Sequence, residues 1–340
     1  MRQSRLAYGL LCALLAATTA CGSDDGNAAS GSTNDAASTN DATGGGADGA
    51  ATANGDTGST GDAAGDSDAG SSDTGGGTGG DGPPAPIAYS GKTCPKLVAG
   101  KNELWSWGKT RGVDLYLPKE TKGAPLLFLW HGLGDTKENF GPAMGAQSLA
   151  TILGAVVLVP QSQGKVSGWG WSTPTDAQED AALFDDLLSC VDAQYEIDNT
   201  RVWTMGFSSG ALWSSWLVMH RSSFIAAAVV WSGGTGKTAN TYTKPKRKLP
   251  ILMAWGGEND NAFFSFDETT KAMSAALQAD GHYVVLCNHG LGHTIPQGGL
   301  NWAVTFLKAH TFGTVGHSPI ADDSAAQATF PNYCVFPTAP

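Results

Sequence analysis

A serine becomes a nucleophile only when a neighbour takes its proton and its hydroxyl is held clear of the backbone. Ser208 stands in Gly206-Phe207-Ser208-Ser209-Gly210, a G-x-S-x-G. Before it, Val202, Trp203 and Met205 supply the apolar bulk of a short buried strand. After it, Leu212, Trp213, Trp216 and Leu217 fall at helical spacing on one face. A strand-to-helix turn that carries this motif is a nucleophile elbow. The serine sits strained at the tip, and the flanking glycines let strand and helix approach with no Cβ between them. In a chain with 46 glycines the bare pattern is weak. The order of the remaining parts makes it specific.

An elbow of this kind is followed along the chain by an Asp or Glu and then a His. That order removes His131 as the base and leaves His282, His289, His293, His310 and His317. His282 and His310 fall in or beside regular elements, and His317 lies in the tail. His289 and His293 both follow the last expected strand, where the base belongs. For the acid, Gly256-Gly257-Glu258-Asn259-Asp260-Asn261 offers Glu258 and Asp260 just after a strand ending at Trp255. The oxyanion donors expected are backbone N–H groups of Ser209, next after the nucleophile, and Leu133, in the loop after Trp130-His131-Gly132. Trp169 and Trp171 lie in a loop leaving the carboxyl end of a strand, where open α/β sheets bind ligands. They are expected either to wall the acyl or aryl part of a substrate or to cap the core. No metal or organic cofactor is implied.

The elements that must position these residues follow from periodicity. Continuous apolar runs at Pro125–Trp130, Ala155–Pro160, Ile225–Trp231 and Ile251–Trp255 read as strands buried on both faces. Val113–Leu117 and Tyr283–Cys287 read as further strands, and Trp105 and Trp107 as packing residues of the N-terminal strands. Helices are expected over 138–153, Asp176–Tyr195, Asp267–Ala279 and Leu300–His310. Alternating strands and helices imply an α/β fold, a mostly parallel doubly wound sheet with helices on both faces.

The chain's start has a different character. Met1-Arg2-Gln3-Ser4-Arg5 followed by the apolar run Leu6–Ala20 reads as a secretory signal. Thr18-Thr19-Ala20-Cys21 is similar to a bacterial lipobox, with threonine where that pattern prefers leucine, so membrane contact is expected only through a lipid anchor at Cys21. Residues 21–86 read as a tether, because 22–82 hold no aromatic residue and no aliphatic larger than alanine, too little to build a core. Those residues carry eleven aspartates and no Lys or Arg. From Pro83 onward 18 basic residues face 20 acidic ones, so the folded part is nearly neutral and no basic stripe points to nucleic acid. A single domain is expected over 87–340. Beyond the signal, Cys94, Cys190, Cys287 and Cys334 are an even set in an exported chain, consistent with two disulfides in any of three pairings.

Over roughly residues 94–334 the chain resembles the α/β-hydrolases, and within them the secreted esterases grouped with poly(3-hydroxybutyrate) depolymerases and feruloyl esterases. The resemblance rests on His131-Gly132-Leu133-Gly134, Val159-Pro160-Gln161, Trp169-Gly170-Trp171 and Glu179-Asp180. It extends to Ile197-Asp198-Asn199-Thr200-Arg201-Val202, Gly292-His293 and Phe330-Pro331-Asn332-Tyr333-Cys334. Many members have G-H-S-x-G-G at the elbow, where this chain has Phe207 and Ala211, so a different acyl pocket is expected. The resemblance selects His293 over His289 and Asp260 over Glu258. It implies a serine carboxylesterase acting on an ester substrate of polymeric or polymer-linked kind. A peptidase, a thioesterase or a non-catalytic surface binding protein are the other readings of the same scaffold.

Overall fold

The computed structural model describes residues 82–163, 170–171, 177–236, 239–314 and 318–337. The chain divides into two units, Met1–Gly77 and Thr78–Pro340, and every described residue belongs to the second. The expected signal, the lipobox and nearly all of the expected tether therefore lie outside the described residues.

The strands are β1 (Gly100–Ser106), β2 (Lys109–Tyr116), β3 (Leu126–Trp130), β4 (Val156–Pro160), β5 (Val202–Phe207) and β6 (Ala227–Trp231). They continue with β7 (Ile251–Trp255), β8 (Asn261–Ala262), β9 (Phe264–Ser265), β10 (Val284–Asn288) and β11 (Cys334–Val335). The helices are α1 (Lys137–Ala143), α2 (Ala146–Leu153), α3 (Gln178–Tyr195), α4 (Ser209–His220), α5 (Phe266–Ala279), α6 (Gly299–Ala309) and α7 (Ser324–Gln327). Nine strands form one sheet in the order β1-β2-β4-β3-β5-β6-β7-β10-β11, and β8 and β9 form a separate small hairpin. The run from β4 to β10 is parallel throughout; β1, β2 and β11 add antiparallel edges.

Period-two alternation divides the core between the two faces of the sheet. In β3, Leu126, Phe128 and Trp130 face one core with Phe184, Leu187, Trp213, Leu217 and Met273, supplied by α3, α4 and α5. Leu127 and Leu129 face the other with Leu149, Leu153, Trp302 and Phe306, supplied by α2 and α6. Each such fully buried side chain contributes about 1.5–3 kcal/mol relative to exposure. Strands β3, β4, β6 and β7 are apolar at every position because water reaches neither face; β5 holds one buried polar side chain, Thr204, which accepts the Trp130 indole N–H at 2.9 Å.

Three expectations need correction. The stretch 138–153 is two helices, because Gly145 takes a left-handed φ of 59° between them and redirects the chain. The strand expected at Val113–Leu117 runs over Lys109–Tyr116 and pairs with β1 in a hairpin. Trp105 and Trp107 do not pack inside. They are 53% and 51% exposed, Trp105 on the side of β1 opposite buried Leu104 and Trp107 in the turn that follows.

Disulfides join Cys94 to Cys190 and Cys287 to Cys334. The first pins the N-terminal segment to α3 across a sequence separation of 96 residues. The second sits in directly opposed register between β10 and the short edge strand β11. Closing a loop of about 100 residues restricts the unfolded chain by about 4–5 kcal/mol. Replacing Cys94 and Cys190 by Ser should therefore lower the Tm by about 10 °C, measured by scanning calorimetry.

Candidate active site

β5 ends at Phe207 and α4 begins at Ser209, so Ser208 occupies the turn with φ 56° and ψ −121°. A non-glycine residue at that φ is strained. The serine holds it because its N–H donates to Trp231 O at 2.9 Å, and its own carbonyl accepts from Ala211 and Leu212 as the helix starts. The two motif glycines are required by contact. A Cβ on Gly206 would lie 2.2 Å from Gly210 O, and one on Gly210 would lie 2.1 Å from Trp130 O.

Ser208 Oγ is 2.8 Å from His293 Nε2, and His293 Nδ1 is 2.6 Å from Asp260 Oδ1. Asp260 is fully buried. Its second oxygen accepts from Ser232 Oγ and from the Gly256 N–H, both at 2.8 Å. With the imidazole N–H, this carboxyl group has three donors around two oxygens, the environment an ionised acid requires when water is excluded. The acid turn and the histidine turn also touch through backbone. A Cβ on Gly256 would stand 1.9 Å from Gly292 O, and the Gly292 N–H donates to Gly256 O at 3.1 Å.

The imidazole of His293 is flanked by Phe207, with ring centroids 4.9 Å apart, and by Phe266, 4.6 Å away and nearly parallel at 19°. Phe207 is, with Ala211, one of the two positions at which the elbow differs from G-H-S-x-G-G. Its ring packs on the imidazole of His293, so the departure bears on that histidine.

The other candidates are placed elsewhere. Glu258 is exposed to solvent. His289 is buried in the same loop as His293, and its Nδ1 accepts from the Leu291 N–H at 3.3 Å; burial holds its pKa below the usual histidine value. His282 bonds the backbone of Leu249, and His310 lies between Phe306 O and Ser318 Oγ with its pKa pushed down to about 4 by burial. His317 lies outside the described residues.

His131 is wholly buried, and that burial depresses its pKa. Its Nδ1 donates to Gly132 O at 2.8 Å while its Nε2 accepts from the Ser162 N–H at 3.2 Å. These bonds fix one neutral tautomer and fold the loop that carries Leu133. That loop abuts Ser208, since a Cβ on Gly132 would lie 3.5 Å from Ser208 Cβ. Leu133 is 37% exposed, and among the described residues no backbone carbonyl accepts its N–H. Gly170, at φ 82°, passes beside both loops; a Cβ there would sit 3.6 Å from Leu133 Cδ1 and from Ser209 Oγ.

Of the two roles weighed for Trp171, its burial fits the core cap. It is 2% exposed, donates its indole N–H to His131 O at 2.8 Å and meets Trp130 edge-on at 5.0 Å. It presents no face to a ligand, and the substrate-wall expectation for Trp171 is corrected accordingly. Trp169 lies outside the described residues.

One residue of the site escapes a reading of the sequence. Ser232 is buried at the end of β6 with φ 54°, a left-handed conformation that serine rarely adopts. Its only sequence signal is a Ser-Gly pair after a buried strand, which is common. Replacing it separates two effects. Ser232→Ala keeps the strain and removes a donor from Asp260, so kcat should fall about tenfold. Ser232→Gly removes the same donor but relieves the strain, so its Tm should exceed that of Ser232→Ala at equal kcat. Calorimetry and steady-state rates on the two variants test this.

Residues 106–304 match the model of the Esterase family, described as "Putative esterase". Among curated proteins, the chain is similar to a bifunctional acetylxylan esterase/xylanase of Neocallimastix patriciarum, 28% identical over 154 residues. The match covers 45% of this chain and 22% of that protein, so the chain spans about a fifth of the length of its relative. Among solved structures it is similar to native pOPH at 20% identity, with a TM-score of 0.59, over 73% of this chain and 97% of that one. Native sOPH is similar at 19% identity, with a TM-score of 0.56, over 66% and 92%. At these identities the structural likeness speaks for the fold.

Proposed function

The chain belongs to the esterase family whose model it matches over residues 106–304, and from that premise we propose an exported serine carboxylesterase that removes acyl groups carried by a polymer, a polysaccharide in the first instance. The observation that carries the serine mechanism is the unbroken line of hydrogen bonds from Ser208 through His293 to Asp260. The polysaccharide carrier is drawn from the acetylxylan esterase/xylanase to which the chain is similar. Export is drawn from the N-terminal signal, and the two disulfides suit an oxidising compartment.

The reaction follows from the donors and acceptors. Ser208 Oγ attacks the ester carbonyl carbon as its proton passes to His293 Nε2. Asp260 accepts from His293 Nδ1–H and stabilises the imidazolium that results. The backbone N–H groups of Ser209 and Leu133 receive the negative charge that develops on the carbonyl oxygen, each contributing about 3 kcal/mol to the transition state. His293 then returns the proton to the departing alkoxide, leaving an acyl-serine and a free alcohol. Water repeats the sequence, giving its proton to His293 and releasing the acid and Ser208 Oγ–H.

The test is hydrolysis of p-nitrophenyl acetate, methyl ferulate, acetylated xylan and a 3-hydroxybutyrate oligomer by the full chain. Turnover of acetylated xylan or methyl ferulate in preference to the oligomer supports the polysaccharide carrier. Preference for the oligomer would move the assignment to aliphatic polyesters, and no turnover of any of the four would sink the esterase reading.

A further inference from the structure

Two indoles that the sequence assigns to packing stand in solvent at one end of the β1–β2 hairpin. Trp105 faces outward from β1, and Trp107 begins the two-residue turn to β2. That turn has φ 48° at Trp107 and 76° at Gly108, the left-handed pair of a type I′ turn. Asn or Gly normally fills its first position, and a bulky residue there is an outlier. An exposed tryptophan held in strain contributes little to folding, which points to a use outside the core.

The backbone beneath the indoles is clamped. Tyr89 Oη donates to Trp105 O at 2.7 Å, Lys109 bonds Glu179 at 2.7 Å, and buried Arg111 bonds Asp180 at 2.6 Å and Gln161 O. Exposure here is not fraying.

Register places this hairpin end on the side of the sheet where Ser208 sits. β2 passes Pro160, the last residue of β4, at Val113, and Trp105 pairs with Thr110, three residues farther out. Ser208 lies two residues beyond Gly206, which pairs with the last residue of β3. β1 and β5 are four strand positions apart, so Trp105 stands about 20 Å from Ser208 at a similar height above the carboxyl edge.

Trp105 shares its face of β1 with exposed Lys101 and Glu103, and Thr110 opposite is exposed too. Exposed indoles beside hydrogen-bonding groups of opposite charge, here Lys101 and Glu103, suit a pyranose ring, which has an apolar C–H face and a rim of hydroxyls. A polyester surface would call for a contiguous apolar patch, and an anionic membrane for a basic one.

We propose that Trp105 and Trp107 bind a neutral polysaccharide chain and hold it across the sheet edge toward Ser208. This rests on the polymer-linked ester reading above and gives its substrate a second foothold.

The experiment measures retention of the full chain by insoluble xylan, by 3-hydroxybutyrate polymer granules and by vesicles containing anionic lipid, alongside p-nitrophenyl acetate hydrolysis in solution. Trp105→Ala and Trp107→Gly are compared with wild type. Trp107→Gly suits the left-handed turn, so its Tm should equal or exceed wild type and folding is not in question. Wild type should be retained by xylan, each variant should lose at least fivefold of that retention, and hydrolysis of the small ester should stay within twofold. Equal retention of wild type and Trp107→Gly on xylan would overturn the proposal. So would retention of wild type only by polyester or vesicles, or by none of the three. Xylan retention that depends on the tryptophans, with no ester hydrolysed, would fault the esterase reading and leave the platform standing.

Discussion

Ser208→Ala should lower kcat for p-nitrophenyl acetate by about 10⁵–10⁶, to the residual rate that binding and oxyanion donors alone sustain. The oxygen proposed to form the acyl-enzyme is gone, and His293 Nε2 then faces a methyl group in place of the hydroxyl 2.8 Å away. The fold should hardly register the change. Alanine at φ 56° suffers the same left-handed strain as serine, and the elbow's bonds at Ser208 N–H and C=O are backbone bonds that persist. Ser208→Gly sharpens the test. Glycine adopts this φ without strain, which saves about 1–3 kcal/mol against a backbone entropy cost of about 0.5–1 kcal/mol. The glycine variant should therefore be equally inactive and more stable, with a Tm a few degrees above wild type. An alanine variant that retains more than a few per cent of wild-type turnover would rule Ser208 out as the nucleophile.

The elbow was legible because its requirements are steric and local. Gly206 and Gly210 must be glycine because a Cβ on either would run into a backbone oxygen, and that demand is written into the sequence as a short motif. The buried parallel strands were legible for a similar reason, since a segment covered on both faces is apolar almost throughout, with a polar residue such as Thr204 admitted only where it meets a partner. What the sequence obscured depends on contacts between distant segments. Cys94 meets Cys190, and the short strand β11 pairs with β10 where Cys334 lies opposite Cys287. Ser232 acquires its role from an aspartate 28 positions later in the chain. Phe266 stacks on a histidine brought to it by another loop. Composition misled at Trp105 and Trp107, where tryptophan in a strand reads as core although the hairpin turns both outward. At Trp171 the same preference for burial was sound, and the ligand-facing alternative gave way to an indole N–H bonded to His131 O.

Asp260→Asn should lower kcat by about 10⁴ while leaving the protein folded. Both oxygens of Asp260 meet donors, His293 Nδ1–H on one side and Ser232 Oγ–H with the Gly256 N–H on the other. An amide must place its NH₂ against one of these. Turned toward Gly256, it opposes a fixed backbone donor that no rearrangement can satisfy, at a cost of about 1–3 kcal/mol. Turned toward His293, it meets a ring that can move its proton from Nδ1 to Nε2 and accept. The second arrangement is the less costly, and it disables the base, because an Nε2 that carries a proton cannot accept one from Ser208. The loss should fall on kcat, with KM for a small ester little changed, since no substrate contact is removed. Glu258→Gln is the matched control. That side chain is solvent-exposed, so the control should keep its rate within twofold. A fall of less than about 100-fold in Asp260→Asn, or a comparable fall in Glu258→Gln, would mean that the histidine takes its orientation from another carboxylate.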